Sequence, residues 1–123
     1  MEVIHLILGK ANPDRMNGVN KVVYQLATQQ AASGRNVAVW GITKDLTPNY
    51  GERNFNTQLF QSYRNPFKLD DQLKEAIIEK KGTATFHLHG GWVPIYSTVS
   101  KFLAKHNIPF VITAHGAYNT IAM

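Results

Sequence analysis

Hydrophobic positions follow two different periods along the chain, and each change of period marks a predicted strand or helix. Residues 3–8 form a nearly continuous apolar run closed by Gly9, as in a parallel strand that is buried on both faces. From Gly18 to Ser33-Gly34 the apolar positions recur every three or four residues, which predicts an amphipathic helix. Residues 37–42 form a second buried strand. The chain therefore opens with a predicted βαβ unit.

The alternation of strands and helices continues toward the end of the chain. Further strands are predicted over residues 55–63, 83–88 and 110–112, with a long loop over residues 43–53. Asp70 or Asp71 can cap a helix that Gly82 closes, and Pro94 can begin another helix because its missing N–H costs nothing there. Together these elements predict an α/β domain over residues 1–123, with a Rossmann-like, doubly wound parallel sheet.

Two predicted strands lead into the same sequence, a histidine followed by glycine. These are His89-Gly90 and His115-Gly116. In an open parallel sheet, ligands bind in the crevice outside the carboxyl ends of the strands. An imidazole and a bare backbone at that edge predict a ligand site, with a sugar hydroxyl or a phosphate beside His115. Trp92 and Tyr118 each follow one of these His-Gly pairs in the sequence. They could form a platform on which a sugar stacks or, alternatively, could be ordinary packing residues.

The loop after the first strand is a natural anion site. Glycine there lets the backbone approach a ligand, and the next helix offers free N–H groups and the positive end of its dipole. The residues are Gly9 and Gly18, with Asn17 beside the second glycine. Neither a dinucleotide-binding G-x-G-x-x-G motif nor a P-loop occurs. The alternative is that Gly18 does no more than begin the helix.

Charge and composition remove several function classes. The chain has 123 residues and a net charge of +5, but its basic residues are scattered, which argues against nucleic acid and leaves anionic small ligands or a membrane surface. The absence of cysteine removes disulfides and thiolate sites. No apolar run approaches the roughly 18 residues of a membrane span, and the N-terminus does not resemble a signal peptide.

A metal site is the remaining alternative for the histidines. His87 and His89 are two residues apart on one strand, so their side chains share a face and could be two ligands of a zinc site. No carboxylate occurs after Glu79, so the third ligand would have to be His115. We therefore expect no metal. His5, in the middle of the first strand, is expected to be a hydrogen-bonded core histidine.

Several segments, taken together, resemble a known family. Residues 17–27, residues 33–39, the His-x-His-Gly of residues 87–90 and the Ile-Pro…Thr-Ala-His-Gly of residues 108–116 occur in the order and spacing of the N-terminal domain of family 4 retaining glycosyltransferases. These enzymes have the GT-B fold, in which two Rossmann-like domains face each other across the active site. The resemblance departs at Asn17, where the family usually has glycine.

The resemblance implies roles for particular residues. Asn17 and Gly18 would approach the donor diphosphate, and His115 would be the catalytic histidine near the transferred sugar. His89, Gly90, Trp92, Gly116 and Tyr118 would contact the acceptor or the sugar. It also implies a nucleotide-sugar donor, a glycan or lipid-linked acceptor, no cofactor and no metal.

The same resemblance implies a wider context for the chain. The expected setting is surface polysaccharide biosynthesis, in the cytoplasm and at the inner face of the membrane, with peripheral membrane contact. The C-terminal domain is absent from this sequence, so we expect the chain alone to be inactive. Two other hypotheses are a Rossmann-like module that binds nucleotides or small anions without transfer chemistry, and a metal hydrolase that uses His87 and His89.

Overall fold

A computed structural model describes residues 1–11, 18–47, 52–65, 67–90 and 94–113. The strands are β1 (Glu2–Leu8), β2 (Val37–Thr43), β3 (Asn56–Gln61), β4 (Ala84–His89) and β5 (Phe110–Thr113). The helices are α1 (Gly18–Ala32), α2 (Asp71–Glu79) and α3 (Pro94–Lys105). Within the described residues the five strands form one parallel sheet in the order β3-β2-β1-β4-β5. This confirms the predicted Rossmann-like α/β fold.

The two faces of the sheet carry separate hydrophobic layers. Ile4 and Leu6 of β1 point to the face covered by α2 and α3, where they pack with residues such as Leu73, Tyr96 and Val99. Ile7 points to the opposite face, where Val23 and Ala27 of α1 cover it. Because both faces of β1 are buried, its sequence is apolar at nearly every position rather than at alternate positions.

Strand β3 is shorter than predicted. It spans Asn56–Gln61, whereas the sequence pattern predicted residues 55–63. Phe55 packs in the layer under α1, and Phe60 is buried in the other layer, 5.2 Å from Trp40 between ring centroids. Phe60 breaks the expected alternation because it packs on the opposite face of the sheet from Phe55, and it is the one buried residue of this edge strand.

Helices α2 and α3 begin at the residues that local chemistry favours. Asp70 is the N-cap of α2, and its carboxylate accepts hydrogen bonds from the backbone N–H groups of Gln72 and of Gln61. One side chain thus caps the helix and holds the end of β3. Pro94 is the first residue of α3, as predicted. No helix in the described ranges is long and apolar enough to cross a membrane.

Candidate functional site

The strand order places a topological switch point between β1 and β4. The chain leaves β1 toward β2 on one side, and it leaves β4 toward β5 on the other. Because the strands are parallel, Gly9 after β1 and Gly90 after β4 lie at the same edge of the sheet. In folds of this class the crevice at such a point binds the ligand. We call Gly9–Ala11 the β1 stem and His89–Gly90 the β4 stem.

The backbone of the β1 stem is fixed by Asn20 in the first turn of α1. The Asn20 Oδ1 atom accepts a hydrogen bond from the Ala11 N–H at 2.8 Å, and its Nδ2 atom donates to the Leu8 carbonyl at 3.3 Å. Gly9 has a φ of +112°, and a Cβ at this position would lie 2.7 Å from Asn20 Oδ1. Ala11 also lies in the left-handed region, with a φ of +55°. Such backbone persists only where its surroundings hold it.

Two cations tie the same stem to other loops, Lys10 from within the stem and Arg53 from outside it. Lys10 is buried, and its Nζ atom donates to the Thr47 carbonyl at 2.6 Å and to Asp45 Oδ2 at 3.3 Å. Arg53 donates to the carbonyls of Lys10 and Ala11 at 3.0 and 3.4 Å. Hydrogen bonds from Thr47, and then the Lys10 contacts, lower the pKa of Asp45 to about 2. The β1 stem is therefore held at its backbone by Asn20 and Arg53 and through the side chain of Lys10.

Helix α1 begins at Gly18, one of the two residues predicted to approach the diphosphate. Its first turn offers N–H groups that have no partner within the helix, together with the positive end of the helix dipole. Asn17, the other residue predicted to approach the diphosphate, lies outside the described residues. Anion binding at this helix start stays a prediction.

The β4 stem is held from the interior of the protein. Tyr96 of α3 is buried, and its hydroxyl lies within hydrogen-bond distance of the carbonyls of His89 and Leu6, so it bridges β4 and β1. Burial raises the pKa of Tyr96, so its hydroxyl stays protonated and donates. Gly90 has a φ of +133°, and its N–H donates to the Thr113 carbonyl at 3.0 Å. The predicted contact of Gly90 with a sugar stays a prediction.

The side chain of His89 points inward. It is 2% exposed, and its Nε2 atom lies 2.8 Å from His5 Nδ1. His5 is fully buried, and its Nε2 atom lies 2.7 Å from Gln30 Oε1, which confirms the prediction of a hydrogen-bonded core histidine. Burial lowers the pKa of His5, an effect that exceeds the opposing hydrogen bond to Gln30. The imidazole of His89 thus faces the core, and its role as a sugar ligand stays a prediction.

A cleft of about 290 Å³ opens at the same edge, on the face of the sheet that α3 covers. Leu8, Ile42 and Ile95 supply apolar walls. Lys68 places its Nζ atom 4.5 Å from the centroid of the Tyr63 ring, and both residues line the cleft. Apolar walls with a cation at the rim are suited to a ligand that has both apolar and anionic parts.

Four other predicted site residues, besides Asn17, lie outside the described residues. They are Trp92, His115, Gly116 and Tyr118. Their neighbours on the strands are described: β4 ends at His89 and β5 at Thr113, and these two residues are paired in the sheet. The two predicted His-Gly edges therefore follow adjacent strands.

Some residues that shape this edge were missed by the sequence analysis. Asn20 lies in the first turn of α1, where a polar side chain is expected to be exposed to solvent. In the structure it is only 4% exposed. Lys10 and Arg53 looked like two of the scattered basic residues. Their position in the sequence could have indicated two of them, because Lys10 and Asn20 flank the glycine-containing loop that was predicted to bind an anion.

Comparison with protein-family models gives one finding. The model described as Glycosyltransferase Family 4 matches residues 16–122. This segment begins just before α1 and includes both His-Gly edges. No curated protein and no solved structure matches the chain.

Proposed function

The chain belongs to glycosyltransferase family 4, and from that premise we propose that residues 1–123 are the acceptor-side N-terminal domain of a two-domain, retaining GT-B enzyme. This enzyme transfers a sugar from a nucleotide-sugar donor to a glycan or lipid-linked acceptor, in the biosynthesis of a surface polysaccharide. It works in the cytoplasm and at the inner face of the membrane. A C-terminal domain completes the site, and the chain alone is inactive.

The observation that carries this proposal is the family match over residues 16–122. The geometry supports it, because the predicted ligand residues follow strands that end at one edge of the sheet, beside the switch point. The cleft with Lys68 at its rim would suit a lipid-linked acceptor, whose chain is apolar and whose phosphate is anionic.

The proposed chemistry is stabilisation of a leaving group. N–H groups at Asn17 and Gly18, together with the dipole of α1, stabilise the departing nucleoside diphosphate. His115 hydrogen-bonds the donor sugar or the acceptor hydroxyl. Gly90, Trp92, Gly116 and Tyr118 border the sugar, and His89 does so through its backbone. No metal and no cofactor takes part in this transfer.

The test is a transfer assay on the complete gene product, with a panel of nucleotide sugars and with membrane lipids as acceptors. We expect His115→Ala to lower turnover by about 100-fold, the loss typical of a group that acts on the reacting atoms, with little change in thermal stability. His106→Ala is the matched control, because His106 follows α3 at the opposite edge of the sheet.

Unchanged turnover in His115→Ala would remove that residue from the mechanism. A gene product that binds nucleoside diphosphates tightly and transfers no sugar would instead indicate a binding module. For the chain alone, affinity for an acceptor without affinity for free nucleotide supports the glycosyltransferase.

A further inference from the structure

Three imidazoles form a cluster on the face of the sheet that α1 covers. His5 lies opposite His87 in the register of β1 and β4, and His89 lies two residues further along the same face. One ring nitrogen from each histidine lies within 4.8 Å of the other two. The rings of His87 and His89 are stacked, with centroids 4.2 Å apart. The sequence suggested His115 as the third histidine, whereas the fold supplies His5.

Two of these rings also have hydrogen-bond partners outside the cluster. The Nε2 atom of His5 pairs with Gln30 Oε1 at 2.7 Å, and the Nε2 atom of His87 pairs with Thr113 Oγ1. Histidine ligands of metals are usually oriented by a hydrogen-bond partner on the nitrogen that does not bind the ion, as Gln30 orients His5. Because the Gln30 oxygen accepts, His5 Nε2 carries the proton and His5 Nδ1 presents a lone pair toward His89.

The spacing of the nitrogens is close to that of a zinc site. Two Zn–N bonds of about 2.0–2.1 Å at a tetrahedral angle place their nitrogens about 3.3 Å apart. His5 Nδ1 and His89 Nε2 are 2.8 Å apart, so they need to separate by about half an ångström. The candidate ligand nitrogens of all three residues lie within 4.8 Å of one another, and His87 is the partly exposed member. Imidazole nitrogens suit zinc and the neighbouring divalent transition metals.

We propose that His5, His87 and His89 bind one divalent transition-metal ion, of which zinc fits best. The ion takes the place of the proton that His89 Nε2 donates to His5 Nδ1, and His89 keeps a single proton, on Nδ1. The fourth position lies on the partly exposed side of His87. The ion links β1 to the last residue of β4 and so holds the β4 stem. It has a structural role and is separate from the proposed sugar transfer.

The experiment is a calorimetric titration of the full chain with zinc chloride. The chain carries no histidine tag and is first stripped with a chelator. We expect one zinc ion per chain at micromolar concentration or below. Cobalt(II), titrated in parallel, should give the visible absorption of a four-coordinate ion.

Two histidine variants make the experiment specific. Loss of an outer partner alone typically lowers metal affinity by 10–100-fold, so His87→Ala should lower it by at least about 100-fold. His106→Ala is the control, since His106 is also partly exposed and lies outside the cluster. If His87→Ala fails to fold, His87→Gln keeps a polar side chain beside Thr113 and tests the same ligand.

The proposal is overturned if zinc shows no saturable binding, and the cluster is then a hydrogen-bonded chain of imidazoles only. Binding of zinc that the substitution of His87 leaves unchanged overturns it equally. Binding that is lost in the His87 variant and retained in His106→Ala supports it, whatever the transfer assay shows.

Discussion

The two stems at the switch point are held in opposite ways. The β1 stem is held by polar side chains, because Asn20 of α1 and Arg53 bind its backbone, and its own Lys10 side chain binds the loop at Asp45 and Thr47. The β4 stem is held from the core, by Tyr96 and by the contact between His89 and His5. Loss of a polar contact at the β1 stem should open that segment locally. Loss of a contact at the β4 stem should lower the stability of the whole domain.

The largest effect is expected at Gly41 of β2, the closest backbone contact of the β1 stem. A Cβ on Gly41 would lie 2.0 Å from the Gly9 carbonyl oxygen, so Gly41→Ala must displace backbone. We expect the free energy of unfolding to fall by about 3 kcal/mol or more, measured by urea denaturation.

Gly34→Ala is the control for this substitution. Gly34 has a φ of +90°, and no described atom lies within 4 Å of a Cβ placed there, so alanine should cost only the left-handed strain of about 1–2 kcal/mol. If the free energy of unfolding falls equally in the two variants, the Gly9 carbonyl does not lie in close contact with Gly41.

Tyr96→Phe should give the next largest effect. The hydroxyl bridges the carbonyls of His89 and Leu6, and its removal leaves buried carbonyl oxygens without that donor. We expect the free energy of unfolding to fall by about 2 kcal/mol. In hydrogen exchange, all the slowly exchanging amides of the core should then exchange faster. Tyr63→Phe is the matched control, because among the described residues its hydroxyl makes one long hydrogen bond, to Asp70 at 3.4 Å. If Tyr96→Phe speeds exchange only at amides near His89, the claim that the β4 stem contributes to the stability of the whole domain is wrong.

A smaller and local effect is expected at Asn20. Asn20→Ala removes the acceptor for the Ala11 N–H, which should cost about 1 kcal/mol and raise hydrogen exchange at Ala11. Asn20→Asp keeps that acceptor but removes the donor to Leu8, so Ala11 should stay more protected than in Asn20→Ala. Equal exchange at Ala11 in both variants would rule out this hydrogen bond as the restraint.

The smallest effect is expected from the pH dependence of Asp45. Its pKa is lowered to about 2 in the folded chain, from an ordinary value of 3.8. The unfolded state therefore binds the proton more readily, so this contribution is complete above pH 4 and is lost as the pH falls toward 2. Asp45→Asn should flatten the fall in urea midpoint over that range. A fall as steep as in the unmodified chain would mean that other carboxyl groups account for it.

The sequence predicted the fold better than the site, for physical reasons. Strands buried on both faces and capped helices have local signatures, so β1, α1 and the start of α2 could be recognised without the structure. The cluster of His5 with His89 depends on the register between strands that are distant in sequence. A shift by one residue would place these side chains on opposite faces.

Asn20 and Arg53 were missed for a related reason. Each binds backbone atoms of the β1 stem. Because every residue has these atoms, the side chains of the stem do not indicate that the contact exists. Residues such as Gly9 and Gly90 were found because a left-handed backbone at a strand end favours glycine, which is visible in a sequence.

The most direct test of the central claim is hydrogen exchange, read by mass spectrometry, on the complete gene product. The exchange is compared with and without the nucleotide sugar that supports transfer. We expect protection in peptides that cover residues 8–20 and 88–95, which contain both stems, and no change around Thr83 at the opposite edge. Protection confined to that opposite edge, or none at either stem while sugar is transferred, would contradict the account.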